Sequence, residues 1–233
     1  MSVILVFLLV LAGLAGWWLS QQGLMTKPWL EQGVAGHFDD EPGIPTEKIA
    51  LVVFLAVVGA LFALFTSAYF MRMELSDWQS LPVSLTLWIN TGVLILSSVT
   101  LHIAVVAARR RQLDMLKPAL LISGLTALTF VAGQLLAWRE LSAAGNFLTA
   151  NPANSFFYLL TGMHALHVLG GLVALARTTG RAWADTTGWD ALQLSTELCA
   201  TYWHFLLAIW LGLFVLLAGW AADFIDICRQ LLT

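Results

Sequence analysis

Charge is scarce in this chain. Asp, Glu, Lys and Arg make up only 11% of its 233 residues, too few to coat a soluble globule of that size. Cysteine is scarcer still. Cys199 and Cys228 stand alone, with no CxxC and no ligand cluster beside either, which argues against a disulfide framework or a zinc site. With a net charge of -3, a pI near 5.9 and no long basic run, nothing points to nucleic acid as a partner. Internal repeats and low-complexity tracts are lacking too, which excludes a solenoid.

What remains is apolar. Hydrophobic residues make up 59% of the chain and the mean hydropathy is +0.82, the composition of an integral membrane protein. Hydropathy predicts an all-α membrane bundle of six transmembrane helices, at about Val3–Leu19, Lys48–Phe70, Leu85–Ala108, Pro118–Trp138, Ser155–Ala176 and Leu194–Ala221. The expected division is an N-terminal transmembrane helix in 1–22, an inner-side loop in 23–46, a five-helix bundle in 47–222 and a short outer tail in 223–233. The stretch "HFDDEPGIP" carries the Gly, Pro and acidic residues of a loop. Thr46 before Glu47, Lys117-Pro118 and Asn151-Pro152 have the chemistry of helix starts. The first span lacks a basic leader and a good cleavage site, so it reads as a retained helix rather than a secretory signal.

Orientation follows from the cations. With the N-terminus outside, the inner segments hold Lys27, Lys48, Arg109, Arg110, Arg111, Lys117, Arg177 and Arg181, and the outer ones only Arg72, Arg139 and Arg229. The positive-inside rule therefore places both termini on the outer side. Trp17, Trp18, Trp78, Trp138, Trp183 and Trp220 fall near the expected interfaces, where indoles are favoured.

Polar residues inside such spans need partners or a task, because burying them in hydrocarbon costs a few kcal/mol each. His164 and His167 are spaced i, i+3 and share a helix face with Gly171; Gln193, Glu197 and His204 line one face of the last span. Ser97, Ser98 and His102 lie in the third span, and Gln134 in the fourth with Glu140 at its outer end. Three uses compete: hydrogen bonding that fixes the bundle, axial ligation of haem or metal by histidines from facing helices, or a lipid or proton site. Periodicity does not choose among them.

The wording of the segments carries more. "SFFYLLTGMHALHVLGGLVAL" resembles the "FF..TG.HG.HV..G" pattern of subunit III of haem–copper oxidases, and "ELCATYWHFLLAIWLGLFVLLAGW" is similar to that family's final helix. "INTGVLILSSVTLHIA", "AGQLLAWREL" and "FLAVVGALFALFTSAYF" resemble three more of its segments in order, so the likeness runs from about Lys48 to Trp220. Three positions depart from the pattern: Val58 replaces a buried glutamate, Leu207 the aspartate after "YWHF", and Gln193 a histidine before Glu197.

The resemblance implies a non-catalytic accessory subunit of a respiratory terminal oxidase of the cytochrome c oxidase type, in a complex that reduces O2 to water and pumps protons. It implies bound phospholipid and support of O2 delivery, with haems and copper in partner subunits and none in this chain. Expected partners are the catalytic subunit I, the copper-bearing subunit II, phospholipids, and cytochrome c or a bc1-type complex. The expected location is a bacterial plasma membrane. Two other readings stay open: an accessory chain of a quinol oxidase or nitric oxide reductase, and a stand-alone haem-binding membrane protein using His167 and His204. Within the accessory-subunit reading, His164, His167, Glu197 and His204 are expected to form a polar seam between the last two helices. Arg177 and Arg181, just past the His-bearing helix, suit a lipid phosphate. With Val58 in place of the family glutamate, lipid anchoring is favoured over proton relay.

Overall fold

A computed structural model describes residues 45–79, 84–184 and 188–219. Five helices occupy them: α1 (Thr46–Met73), α2 (Leu85–Arg109), α3 (Leu113–Ala143), α4 (Pro152–Ala184) and α5 (Trp189–Leu217). Each is long and apolar enough to cross a membrane. The expected Val3–Leu19 span, the loop in 23–46 and the tail in 223–233 lie outside the described residues.

Every described helix runs past the apolar stretch that predicts it at one end or both, because the polar end turns remain helical. The start of α3 is the clearest case. Pro118, expected as a first helical residue, sits in the second turn instead, where its ring forgoes the bond to the Asp114 carbonyl. Asn151 caps α4 as its sequence suggests: its Oδ1 accepts from Ala153 N at 3.1 Å, and Pro152 takes the first helical position. The cap of α2 is Ser84, whose Oγ accepts from Thr86 N at 3.1 Å while its own hydroxyl donates to Glu140 of α3.

Three of the five described helices end by one device. Gly145 after α3 and Gly219 after α5 adopt φ of 85° and 79°, left-handed backbone that closes the last turn, and α5 therefore stops at Leu217 rather than reaching Ala221. The tight turn between α2 and α3 uses Arg111 in the same role at φ 57°, with Gln112 N bonded to the Ala107 carbonyl at 3.0 Å. Glycine accepts that backbone more readily, so Arg111→Gly is expected to stabilise the bundle by roughly 0.5–1 kcal/mol. The Arg111–Asp190 pair that this removes is exposed and 3.4 Å long, worth little. A raised thermal midpoint of the purified protein is the check.

Packing places α2, α3, α4 and α5 around one core, with α1 against α4 and α5. Ser97 and Ser123 form a reciprocal clasp between α2 and α3: each hydroxyl donates to the other's carbonyl, at 3.0 and 3.1 Å, and both residues are fully buried. Small residues with internally satisfied hydroxyls let two helices approach closely in lipid. At the centre lie Trp203, Trp210, Phe130, Leu94 and Leu101. Trp210 spans the core, its ring edge-on to Phe130 at 4.9 Å and its Nε1 donating to Thr91 Oγ1 of α2 at 2.9 Å.

In the loop after α1, Arg72 holds the Asp77 carboxylate through two hydrogen bonds of 2.7 and 2.5 Å. That contact keeps the Asp77 carboxyl below the usual carboxylate range. A depressed folded-state pKa means the contact contributes above the unfolded value and is lost as pH falls through the folded one. The pair is exposed, so a small loosening of this loop on acidification is the expected result, read by amide exchange at residues 74–79.

Candidate functional site

Glu197 is the least expected side chain in an apolar helix, and its surroundings account for it. From the first turns of α5 its carboxylate meets Lys48 Nζ of α1 at 3.0 Å and Arg109 Nε of α2 at 3.0 Å, while Gln193 Nε2, one turn earlier, donates to Oε1 at 3.4 Å. One carboxylate thus joins three helices at the Arg109 end of the bundle. Glu197 is largely buried, with a side chain 15% exposed, whereas Lys48 and Arg109 are 42% and 62% exposed. Charge-assisted hydrogen bonds are strong, yet screening discounts partners this open.

Glu197→Gln is therefore expected to cost about 1–2 kcal/mol, since it leaves two cations facing each other without the anion between them. The check is thermal stability in detergent at two ionic strengths. Added salt should weaken the wild type more than the variant, because only the wild type holds an attraction to screen.

His204 lies seven residues further along the same face of α5. Its Nδ1 shares a 3.4 Å hydrogen bond with Ser98 Oγ of α2, and its ring centroid is 5.8 Å from that of His102. Both histidines are exposed on the outside of the described bundle.

The histidines of α4 occupy different surroundings. His164 is fully buried among the rings of Trp210, Phe130 and Phe62, at centroid distances of 5.0, 5.8 and 6.4 Å. Neither of its ring nitrogens meets a polar group of the described residues. His167 donates from Nδ1 to its own helix's Met163 carbonyl at 2.7 Å, which fixes its tautomer, and its ring lies 5.5 Å from Phe62. The His167 carbonyl accepts from Tyr202 Oη of α5 at 2.8 Å. Gly171 makes room for that approach.

The four side chains therefore do not line one interface between α4 and α5. His164 points into the aromatic core, His167 toward α1, Glu197 toward the ends of α1 and α2, and His204 toward α2. The spacing identifies which residues share a face of one helix; it does not say which neighbour that face meets. His167 and His204 do not face each other, as joint axial ligands would. Arg181 donates from Nη1 to Ser195 Oγ of α5 at 3.0 Å, and Arg177 is exposed nearby on α4. Among the described residues no three His, Cys, Asp or Glu side chains converge as a metal site.

Sequence reading counted Lys48 and Arg109 only as inner-side charges and missed them as partners of Glu197. It also missed the buried Asn90, whose Nδ2 donates to Gln134 Oε1 at 3.3 Å, and the Thr91–Trp210 bond. Polar residues four apart, such as Gln193 and Glu197, can be paired from sequence; Lys48 and Glu197, 149 residues apart, cannot.

Fold and site together define a polytopic α-helical membrane protein whose polar groups mainly tie helix to helix. The family model of cytochrome c oxidase subunit III matches residues 48–222, three quarters of the chain and all five described helices apart from the first two residues of α1. The chain belongs to the cytochrome c oxidase subunit III family. It is 31% identical over 194 residues to "Cytochrome c oxidase subunit 3" of Synechocystis, covering 81% of this chain and 79% of that one. "Probable cytochrome c oxidase subunit 3" of Mycobacterium tuberculosis is 35% identical over 145 residues, 62% of this chain and 67% of the relative. "Cytochrome c oxidase subunit 3" of Thermostichus vulcanus is 28% identical over 191 residues, 80% of this chain and 94% of the relative. The chain is accordingly an accessory subunit III of a terminal oxidase, within a haem–copper oxidase complex.

Proposed function

We propose that this subunit is non-catalytic and serves as a lipid-holding flank of the oxidase in a bacterial plasma membrane. It sits beside the catalytic subunit I and the copper-bearing subunit II, and the complex takes electrons from cytochrome c or a bc1-type complex. Haems and copper belong to those partners, while this chain supports assembly and O2 delivery during proton-pumping turnover. The observation that carries the reading is the family match across residues 48–222. The surface of the bundle agrees with it: Ile49, Val53, Val57 and Leu64 of α1 are exposed apolar residues suited to lipid or to other helices. Phospholipid is held at the inner end of α4, where the exposed Arg177 and Arg181 offer guanidinium groups to a phosphate. Counting Val3–Leu19, the chain has six spans.

Purification of the native complex in mild detergent tests the assignment. The chain should appear in equal amount with subunits I and II, and separated from them it should show no Soret band. Recovery mostly as a free monomer, or with stoichiometric haem of its own, would overturn it. Topology is checked independently. A reporter in "ARRRQLDMLK" should read inside, because Arg109, Arg110, Arg111 and Lys117 supply half of the eight inner cations; one after residue 223 should read outside.

A further inference from the structure

Between α3 and α4 the bundle is recessed. Gly124 of α3 and Gly180 of α4 contribute no side chains, and a groove of about 600 Å³ opens there, walled by Leu125, Leu128, Leu172 and Trp183. Leu125, Leu128 and Trp183 are exposed, so the groove opens on the outside of the described bundle. Its wall on α4 runs from Leu172 to Trp183, about 16 Å at roughly 1.5 Å per residue. That is about half of a hydrocarbon core of roughly 30 Å, the depth of a single leaflet. At the Trp183 end the groove meets a cation. There Lys117, one turn below the groove on α3, places its Nζ 5.6 Å from the centre of the Trp183 ring.

We propose that this groove is a binding site for one acyl chain of an anionic phospholipid, with the headgroup phosphate on Lys117. Three features favour this occupant over a helix of another protein. The recess spans one leaflet and not two, its walls are almost wholly apolar, and Lys117 stands at the end where a lipid of that leaflet carries its phosphate. Trp183 holds the ammonium group by cation–π attraction, which reduces the side-chain freedom lost when the phosphate arrives. The site is separate from Arg181, which reaches Ser195 on the α5 side of α4, and it stands whether or not the lipid role proposed above holds.

The test uses the whole oxidase complex, washed free of lipid in detergent and titrated with phosphatidylglycerol or phosphatidylcholine, with bound lipids counted by native mass spectrometry. Leu128→Trp narrows the deep end from its exposed rim. Gly124→Leu fills the middle, where a Cβ would lie 3.8 Å from Leu175 Cδ2 and further atoms would enter the groove. Each variant is expected to retain one phosphatidylglycerol fewer than the wild type. Lys117→Gln should keep the chain but lower the preference for phosphatidylglycerol over phosphatidylcholine about five-fold, the effect of one cation near a membrane surface. Leu128→Trp leaves the core untouched and decides alone where Gly124→Leu does not assemble. Unchanged lipid counts with the groove filled, or equal retention of the two lipids by the wild type, would overturn the proposal.

Discussion

Replacing Trp210 with alanine is expected to lower the stability of the bundle by about 3 kcal/mol, the low end of the range for burying and then losing a large aromatic side chain. The discount has a physical reason. In lipid the separated helices keep an apolar surrounding, so the transfer-from-water part of the usual loss falls away and the lost packing remains. That packing is dense here, because Trp210 is 1% exposed and its ring meets both Phe130 and His164. Thr91 Oγ1 also loses the indole donor, although its own hydroxyl still donates to the Leu87 carbonyl at 2.8 Å. Trp210→Phe restores most of the volume without the N–H, so it should recover more than half of the loss. Thermal unfolding of the purified complex, followed by loss of helical circular dichroism, measures both. Equal stability of Trp210→Ala and wild type would contradict the assigned core.

A comparable effect is expected on adding a side chain at Gly171. A Cβ built there lies 2.7 Å from Trp203 Cζ3 and 2.8 Å from Tyr202 Cε1, both ring atoms of packed side chains. To accept even alanine, α4 and α5 must separate or both rings must turn, and Tyr202 then gives up its bond to the His167 carbonyl. Gly171→Val is expected to cost about 2–3 kcal/mol, the upper part of the overpacking range, with alanine somewhat less. A control lies about two and a half turns further along α4: a Cβ at Gly180 meets nothing within 4 Å, so Gly180→Ala should be at least as stable as the wild type. If Gly171→Val and Gly180→Ala melted together, the α4–α5 contact would be other than described.

Five of the expected spans were legible because in a membrane the apolar run is itself the structural constraint: within a single segment only a helix satisfies the backbone's hydrogen bonds in lipid. Their ends were less legible. Helix continues through Lys117, Arg177 and Arg181, where hydropathy falls but hydrogen bonding does not, so the apolar runs underestimate α3 and α4. The site was legible residue by residue and not as an arrangement. Glu197 stood out as needing a partner, and it has two cationic ones; Lys48 and Arg109 sit on helices whose proximity only the packing reveals. His164 and His167 look equivalent in sequence, yet a rotation of about 300° between positions i and i+3 is enough to turn one into an aromatic core and the other toward α1. The family was legible from wording such as "YWHF", whose Trp203 is buried against α4.

The junction at Glu197 also orders how this chain is made. Lys48 and Arg109 are synthesised early and Glu197 late, with 149 residues between Lys48 and its acceptor. At about 5–20 residues per second, Lys48 is made roughly 7–30 s before the carboxylate is translated. During that interval the two cations have no anion from α5 to hold them. Arrival of the last helix closes the set. Ribosome-stalled chains ending before residue 197 should therefore leave Lys48 open to amine-reactive reagents, and chains long enough to insert α5 should protect it.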